Sequence, residues 1–266
     1  MTSLQTIGLS RDAADAYDEL ADAYDVLTAG YCHDRWLERI EQVALAHGLR
    51  GRRLLDIACG TGKSFLPLAE RGYDVTACDI SSRMVQIARG KAPGIEIALG
   101  DMRALEELGE FDLITCLDDA VNYLLTVEDL EGFFHSVARN LAADGVAVFD
   151  VNSLRMYREG FARDWLIDEP GAFIAWTAPG AGHTGSGGQV AATVHVFSPD
   201  GPRWIRSQSH HRQRHWPQDR IASAAAAASL TIRAVRGQHR GACLEDRFDE
   251  LEHNKALCLA THEERR

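Results

Sequence analysis

Residues 54–62 read Leu54-Leu55-Asp56-Ile57-Ala58-Cys59-Gly60-Thr61-Gly62, and the way this stretch folds decides the rest of the chain. Its apolar run has the length and composition of a buried strand, and it ends in a glycine turn. A helix is expected behind the turn, over 63–70. Gly60 and Gly62 carry no Cβ, so backbone there can approach a ligand closely. The helix N-terminus offers unpaired N–H groups to a carboxylate or phosphate. Asp56 is an acid in an otherwise apolar strand. It costs free energy unless it is hydrogen-bonded, so it orders either the turn or a ligand.

Three nucleotide-site readings compete. Gly60-Thr61-Gly62-Lys63-Ser64 looks like the end of a P-loop, but the glycine required five places before Gly62 is Ile57. A dinucleotide fingerprint wants a small residue three places after Gly62, where this chain has Phe65. The third reading needs no repair. Asp56-x-Ala58-Cys59-Gly60-Thr61-Gly62 resembles motif I of the class I methyltransferases, which bind S-adenosylmethionine. The resemblance implies cofactor contacts at Asp56, Ala58, Gly60 and Gly62.

Composition sets the bounds. The 266 residues suit one large domain, or one domain plus a cap, and 45% apolar with 25% charged residues is enough to bury a core. No segment has the ~18–20 consecutive apolar residues of a membrane span. The N-terminus lacks the basic start and apolar core of a signal peptide. Cys32, Cys59, Cys78, Cys116, Cys243 and Cys258 form no Cys-x-x-Cys pair, which suggests reduced thiols and a cytoplasmic protein. A net charge of −11 argues against a nucleic-acid partner, although Arg203, Arg206, Arg212, Arg214 and Arg220 cluster locally.

Residues 1–10 read as a loose tail and 12–26 and 34–47 as helices, with Gly30 between them and Gly48 as a C-cap signal. Tyr17, Tyr24, Tyr31 and Trp36 recur through them. These aromatics either pack the helices onto a sheet or form a lid over a ligand. The pattern Tyr-x-x-x-Ala-x-x-Tyr-Asp followed by Tyr-x-x-x-x-Trp resembles the lead-in of bacterial small-molecule methyltransferases. That likeness implies a lid over 1–50, with Tyr24, Tyr31 and Trp36 toward the cofactor and Tyr17 toward the substrate.

A second strand, 74–79, follows after one helix and should lie parallel to the first. It ends in Asp79, placed to grip a ribose or to cap the helix 83–91. Asp79-Ile80-Ser81-x-x-Met84 resembles the family's ribose site and helix start together, bringing in Ile80 and Met84. A third strand, 95–99, leads to Gly100-Asp101-Met102. The resemblance makes Asp101 the acceptor of an adenine amino group and Met102 the packing for its ring.

The fourth strand, 111–117, ends at Leu117, and in an open α/β sheet ligands bind at such strand ends. Asp118, Asp119, Asn122 and Tyr123 therefore face the reacting atoms or simply cap and pack the next turn. A sulfonium is already an activated methyl donor, so catalysis is mainly in-line alignment with water excluded. An amine or hydroxyl acceptor must also lose a proton. Tyr123 and Asp119 are the catalytic candidates, with Asp118 and Asn122 toward the substrate. Related sugar N-methyltransferases carry a histidine where this chain has Tyr123. No Asn/Asp-Pro-Pro-Tyr/Phe run marks an adenine-N6 enzyme, and no Pro-Cys marks a cytosine-C5 one.

A helix capped by Thr126 covers 128–141, and a fifth strand covers 146–151. From 154 to 216 the pattern changes to alternating strands, notably 189–198 and 203–216, joined at Pro199-Asp200-Gly201-Pro202. This reads as an antiparallel cap that shapes the substrate pocket. His211 is its candidate substrate contact. His210, His211 and His215 do not converge with supporting acids, so no metal is expected. Pro217 opens a helix through the alanine run. Strands at 231–236 and 254–261 follow, the last one antiparallel between the fifth and sixth by resemblance. Residues 243–251 stay unassigned.

The chain is thus identified as an α/β protein of the class I methyltransferase type. The expected fold is a Rossmann-like seven-stranded core (51–153 and 217–266), an N-terminal helical lid (1–50) and an inserted antiparallel β cap (154–216). The expected function is S-adenosylmethionine-dependent methylation of an N or O atom of a small metabolite, by a monomer or homodimer. An RNA or protein methyltransferase, or a cofactor-binding protein that does not transfer methyl, is the alternative.

Overall fold

The computed structural model describes residues 12–263, so the expected tail at 1–10 lies outside them. Strands β1 (Arg53–Ile57), β2 (Asp74–Asp79), β3 (Glu96–Leu99), β4 (Phe111–Cys116) and β5 (Leu141–Asn152) pair in parallel. Strands β10 (Leu230–His239), β11 (Cys243–Glu245) and β12 (Lys255–His262) complete an eight-stranded sheet in the order β11-β10-β12-β5-β4-β1-β2-β3. The final strand does insert antiparallel, between β5 and β10. The sheet has eight strands where seven were expected, because the unassigned acidic segment turns back and adds β11 to the edge.

The inner strands are apolar runs because both faces are covered. Helices α2 (His33–Ala46), α3 (Leu66–Glu70) and α4 (Ser82–Lys91) lie on one face, where Trp36, Ile40, Leu68 and Val85 pack on Leu54 and Val148. Helices α5 (Val127–Asn140) and α6 (Gln218–Ala227) lie on the other, where Phe133, Phe134 and Phe149 meet edge to face. Thr126 caps α5 in a reciprocal box with Asp129. Helix α3 starts at Leu66 rather than Lys63, since Gly62 at φ +96 still belongs to the turn. Pro217 is the N-cap of α6, one place before the N1 position expected.

A second sheet is an antiparallel meander of β6 (Trp165–Glu169), β7 (Ala172–Thr177), β8 (Gln189–Asp200) and β9 (Arg203–Arg214). Helix α1 (Asp12–Leu27) lays Leu20 and Ala23 on its Ile174, Val194 and Val196. The two sheets are stapled by side chains. Asn122 donates to Arg214 O at 2.8 Å and accepts from Asn152 N at 2.8 Å, and Trp216 Nε1 donates to Leu124 O at 3.0 Å. No helix of the described residues is long and apolar enough to cross a membrane.

Candidate active site

Sheet order reverses beside β1, with β2 on one side and β4 on the other. Ligand crevices form at such a switch point, beyond the strand ends. The turn after β1 is wound through left-handed backbone, with φ of +58 at Ala58, +54 at Gly60 and +96 at Gly62. Asp56 anchors it from below. Its two oxygens accept from the hydroxyls of Ser64 and, at 2.6 Å, Thr115. Burial pushes the Asp56 carboxyl up to about 7, against the pull of those hydroxyls.

Asp79 closes the turn from the side. It accepts from Gly60 N and from Ser81 N, each at 2.8 Å. Burial raises its carboxyl to about 6 although both N–H groups favour the anion. Lys63 donates to Thr28 Oγ1 at 2.8 Å and Thr28 O at 3.1 Å, so its ammonium caps the C-terminal end of α1. A P-loop lysine would face a phosphate instead.

The cleft over this turn has two adjoining lobes. One is lined by Tyr17, Tyr24, Ala58, Gly60, Asp79, Ile80, Leu117, Asp118 and Tyr123 among others. The other shares Ala58, Ile80, Met102 and Tyr123 and extends to Asp101, Arg103 and Gln189. Asp101 holds Arg103 in a two-pronged pair, at 2.9 Å to Nε and 2.6 Å to Nη2. Eleven of the anticipated residues therefore converge on one cleft, drawn from α1 and from the ends of β1, β2, β3 and β4.

Beyond β4 the chain takes two consecutive left-handed residues, Asp118 at φ +57 and Asp119 at φ +56. Non-glycine residues adopt this only under compulsion. Asp150 supplies it, accepting from Asp118 N at 3.1 Å and Asp119 N at 2.5 Å. Lys255 Nζ neutralises the group, 2.8 Å from Asp119 Oδ1 and 3.3 Å from Asp150 Oδ1. Burial opposes the Lys255 charge, yet the surrounding carboxylates raise its pKa. Burial likewise opposes ionisation of Asp118, but His33 Nε2 at 3.0 Å and the Lys255 charge hold its carboxyl below the usual range.

The Tyr123 hydroxyl pairs with His211 Nδ1 at 2.9 Å, and His211 Nε2 pairs with Ser209 Oγ at 2.8 Å. Tyr17 packs on both rings, at 5.2 and 5.5 Å between centroids. Burial lowers the His211 imidazole to about 4 and, together with Asp119, raises the Tyr123 phenol. Both are thus neutral at pH 7.

Several anticipated residues lie off the cleft lining. Asp56 is consumed beneath the turn. Gly62 packs on Phe65. Trp36 is buried in the layer under α2, and Met84 is buried on α4. Tyr31 is 57% exposed. Asn122 is the inter-sheet staple, and Asp119 is held by Lys255 and by Gln213 Nε2 at 2.6 Å. His211 stands behind Tyr123. Sequence reasoning missed His33, Asp150, Gln213 and Lys255. It also missed the hydrogen bonds that fix α1, in which Asp25 accepts from Thr61 Oγ1 at 2.6 Å and Asp18 from Ser81 Oγ at 2.5 Å. An acid inside the apolar run Val148-Phe149-Asp150-Val151 carries the same signal as Asp56.

The sheet order and switch-point cleft are those of a class I, Rossmann-like methyltransferase fold. A family described as a methyltransferase domain matches residues 54–145. The chain is 32% identical to the putative methyltransferase YqeM of Bacillus subtilis (strain 168) over 207 residues, 76% of this chain and 81% of that one. It is 27% identical over 247 residues to the dTDP-3-amino-3,6-dideoxy-alpha-D-glucopyranose N,N-dimethyltransferase of Streptomyces fradiae, covering 86% and 90% of the two chains. Among solved structures, an S-adenosylmethionine-dependent methyltransferase from Clostridium acetobutylicum ATCC 824 superposes with a TM-score of 0.78 at 25% identity, over 93% of this chain and 99% of that one. The chain belongs to the S-adenosylmethionine-dependent methyltransferases. Its cofactor is S-adenosylmethionine.

Proposed function

We propose that the protein methylates an amine nitrogen of a small natural-product metabolite, an amino sugar being the favoured acceptor. The observation that carries this is the placing of Tyr123 and ionised Asp118 on one lobe of the cleft, under the lid tyrosines Tyr17 and Tyr24. The similarity to an amino-sugar N,N-dimethyltransferase supports the same class of acceptor.

S-adenosylmethionine supplies an activated methyl group on a sulfonium sulfur. The residues present fit it. Gly60 exposes bare backbone to the cleft, where an added Cβ would stand 3.6 Å from the Tyr24 ring. Ala58, Gly60, Asp79, Ile80, Asp101, Met102 and Leu117 would hold it. In the tautomer that carries the proton on Nε2, toward Ser209 Oγ, His211 Nδ1 accepts a hydrogen bond from the Tyr123 hydroxyl, and the phenol oxygen keeps a lone pair for an acceptor N–H. Asp118 orients a neutral, N–H-bearing acceptor amine, and the proton released on transfer leaves through water to solvent. The lid (1–50) and cap (154–216) exclude water and shape the acceptor pocket, and the core (51–153 and 217–266) binds the cofactor.

Incubation with S-adenosylmethionine and paired nucleotide-linked amino and hydroxy sugars, read by mass spectrometry, tests this. One or two methyl groups gained on the amino sugar support it. Methylation of the hydroxy sugar alone, or of RNA or protein instead, overturns it. Tight cofactor binding with no turnover on any acceptor would favour the non-transferring alternative.

A further inference from the structure

We infer that His239, Glu245 and His253 form a binding site for a divalent transition-metal ion of the zinc type, at the edge of the main sheet. The sequence gives no such hint, since the spacing of the three matches no common metal motif and they come from three different segments. His239 ends β10, Glu245 ends β11, and His253 lies in the loop before β12.

Folding brings their donor atoms within 4.8 Å of one another. His239 Nε2 is 2.9 Å from Glu245 Oε1, and His253 Nε2 is 3.3 Å from Glu245 Oε2. Ligand atoms bound at ~2.0–2.1 Å in a tetrahedral site stand about 3.3 Å apart, so little movement is needed. The two imidazole centroids are 4.6 Å apart at 39°, which turns both Nε2 atoms toward the same carboxylate. Two histidines and a carboxylate are a ligand set that zinc accepts, with a fourth position left for water.

Two further features support a built site. His253 is fully buried, and its Nδ1 accepts from Asp249 N at 3.0 Å with Asp249 O beside it at 3.2 Å. Metal binding at Nε2 needs the ring proton on Nδ1, so the imidazole must give up the Asp249 N–H and donate to the Asp249 carbonyl beside it. Gly237 on β10 leaves the room. A Cβ there would stand 2.3 Å from His253 Nε2, so any other residue at 237 would push the imidazole away. Glu245, 43% exposed, and His239, 35% exposed, give the ion access from solvent. Arg247 Nε lies 3.4 Å from Glu245 Oε2 and must yield to the ion; its other partner, Glu252, is ready to keep it.

The consequence reaches the active site along the chain. Asn254, next after His253, donates to Gln238 O at 2.9 Å and accepts from Ser153 N at 3.1 Å. Lys255 follows at once. An ion at this edge would pin the hairpin and the loop on which the Lys255 ammonium is mounted.

The test uses the full chain, stripped with chelator and titrated with Zn²⁺ against a chromophoric competitor and with Co²⁺ by visible absorption. One equivalent should bind at micromolar affinity or tighter and raise the melting temperature. His239→Ala and Glu245→Gln, both at partly exposed positions, should weaken that equivalent at least tenfold and abolish the thermal shift while folding normally by circular dichroism. His210→Ala should bind as the wild type does. Failure of the wild type to bind one equivalent, or equal binding by folded His239→Ala and Glu245→Gln, would overturn the site.

Discussion

The Tyr123 hydroxyl lies 2.9 Å from His211 Nδ1, joining the turn after β4 to a strand of the cap. One hydrogen bond therefore couples a residue beyond the strand ends of the main sheet to the second sheet. Tyr123→Phe removes the acceptor oxygen without disturbing the ring packing against Tyr17. It should lower kcat by about a hundredfold, the low end of the range for proton-handling groups. Cofactor affinity should change little. His211→Gln should give a smaller loss, seen more in KM than in kcat, because the phenol is then aimed less well. Steady-state kinetics beside calorimetric titration with S-adenosylmethionine separates the two effects. Equal kcat for wild type and Tyr123→Phe would remove Tyr123 from the chemistry.

Asp79 serves the turn and the cleft at once, through Gly60 N, Ser81 N and its place on the cleft wall. Asp79→Ala leaves two N–H groups without an acceptor. A cofactor affinity loss of tenfold or more is expected, equivalent to at least ~1.4 kcal/mol. Stability should fall by about 1–3 kcal/mol for the unsatisfied donors. Asp79→Asn keeps one acceptor oxygen and should recover part of the stability but little of the affinity. Calorimetry and urea unfolding on the same preparations would decide. An Asp79→Ala variant that binds the cofactor as the wild type does would show that Asp79 only orders the turn.

Lys255 stands among Asp119 and Asp150, both within 3.3 Å, with Asp118 close behind. Removing the cation leaves buried carboxylates facing one another. Lys255→Met should therefore cost about 3–5 kcal/mol, the usual penalty for breaking a buried pair from one side. Adding Asp119→Asn should restore part of it, since one negative charge is relieved. Urea unfolding of the single and double variants measures the coupling. Additive losses would mean that the two side chains do not share a network.

These residues mark the limit of what was legible in the sequence. The strand order and the glycine turn could be read because parallel strands covered on both faces leave unbroken apolar runs, punctuated at their ends by Gly60, Asp79 and Asp101. The edge strands were harder. In β6, Leu166 is exposed and the acids follow directly, so no clean alternation marks it, and β11 has three residues only. Trp36 was placed toward the cofactor by the likeness of its Tyr-x-x-x-x-Trp pattern to the family's lead-in. Yet it shares the helical face of Ile40, Val43 and Ala44, and that face is core. Lys255 could not have been found, because an isolated lysine at a strand start is ordinarily solvated. Its burial depends on β12 entering between β5 and β10, a long-range fact.

Asp56 has no exposure, and its carboxyl titrates at about 7 in the folded chain against 3.8 as the ordinary value. The folded state therefore binds the proton more tightly than the unfolded state does. Stability from this group is fully present below about pH 4 and is lost as pH rises through 7. Between pH 5 and pH 8 the loss should be about 2–3 kcal/mol. Asp18, Asp25 and Asp112 have lowered values and act in the opposite sense at lower pH, so the overall profile would mask the effect. The difference between wild type and Asp56→Asn isolates it. Asparagine keeps an oxygen for one of the two hydroxyls and cannot ionise. Urea unfolding at pH 5 and pH 8 should therefore show the variant gaining on the wild type as pH rises. A difference that stays constant across that range would mean that Asp56 ionises in the folded chain as readily as in the unfolded one.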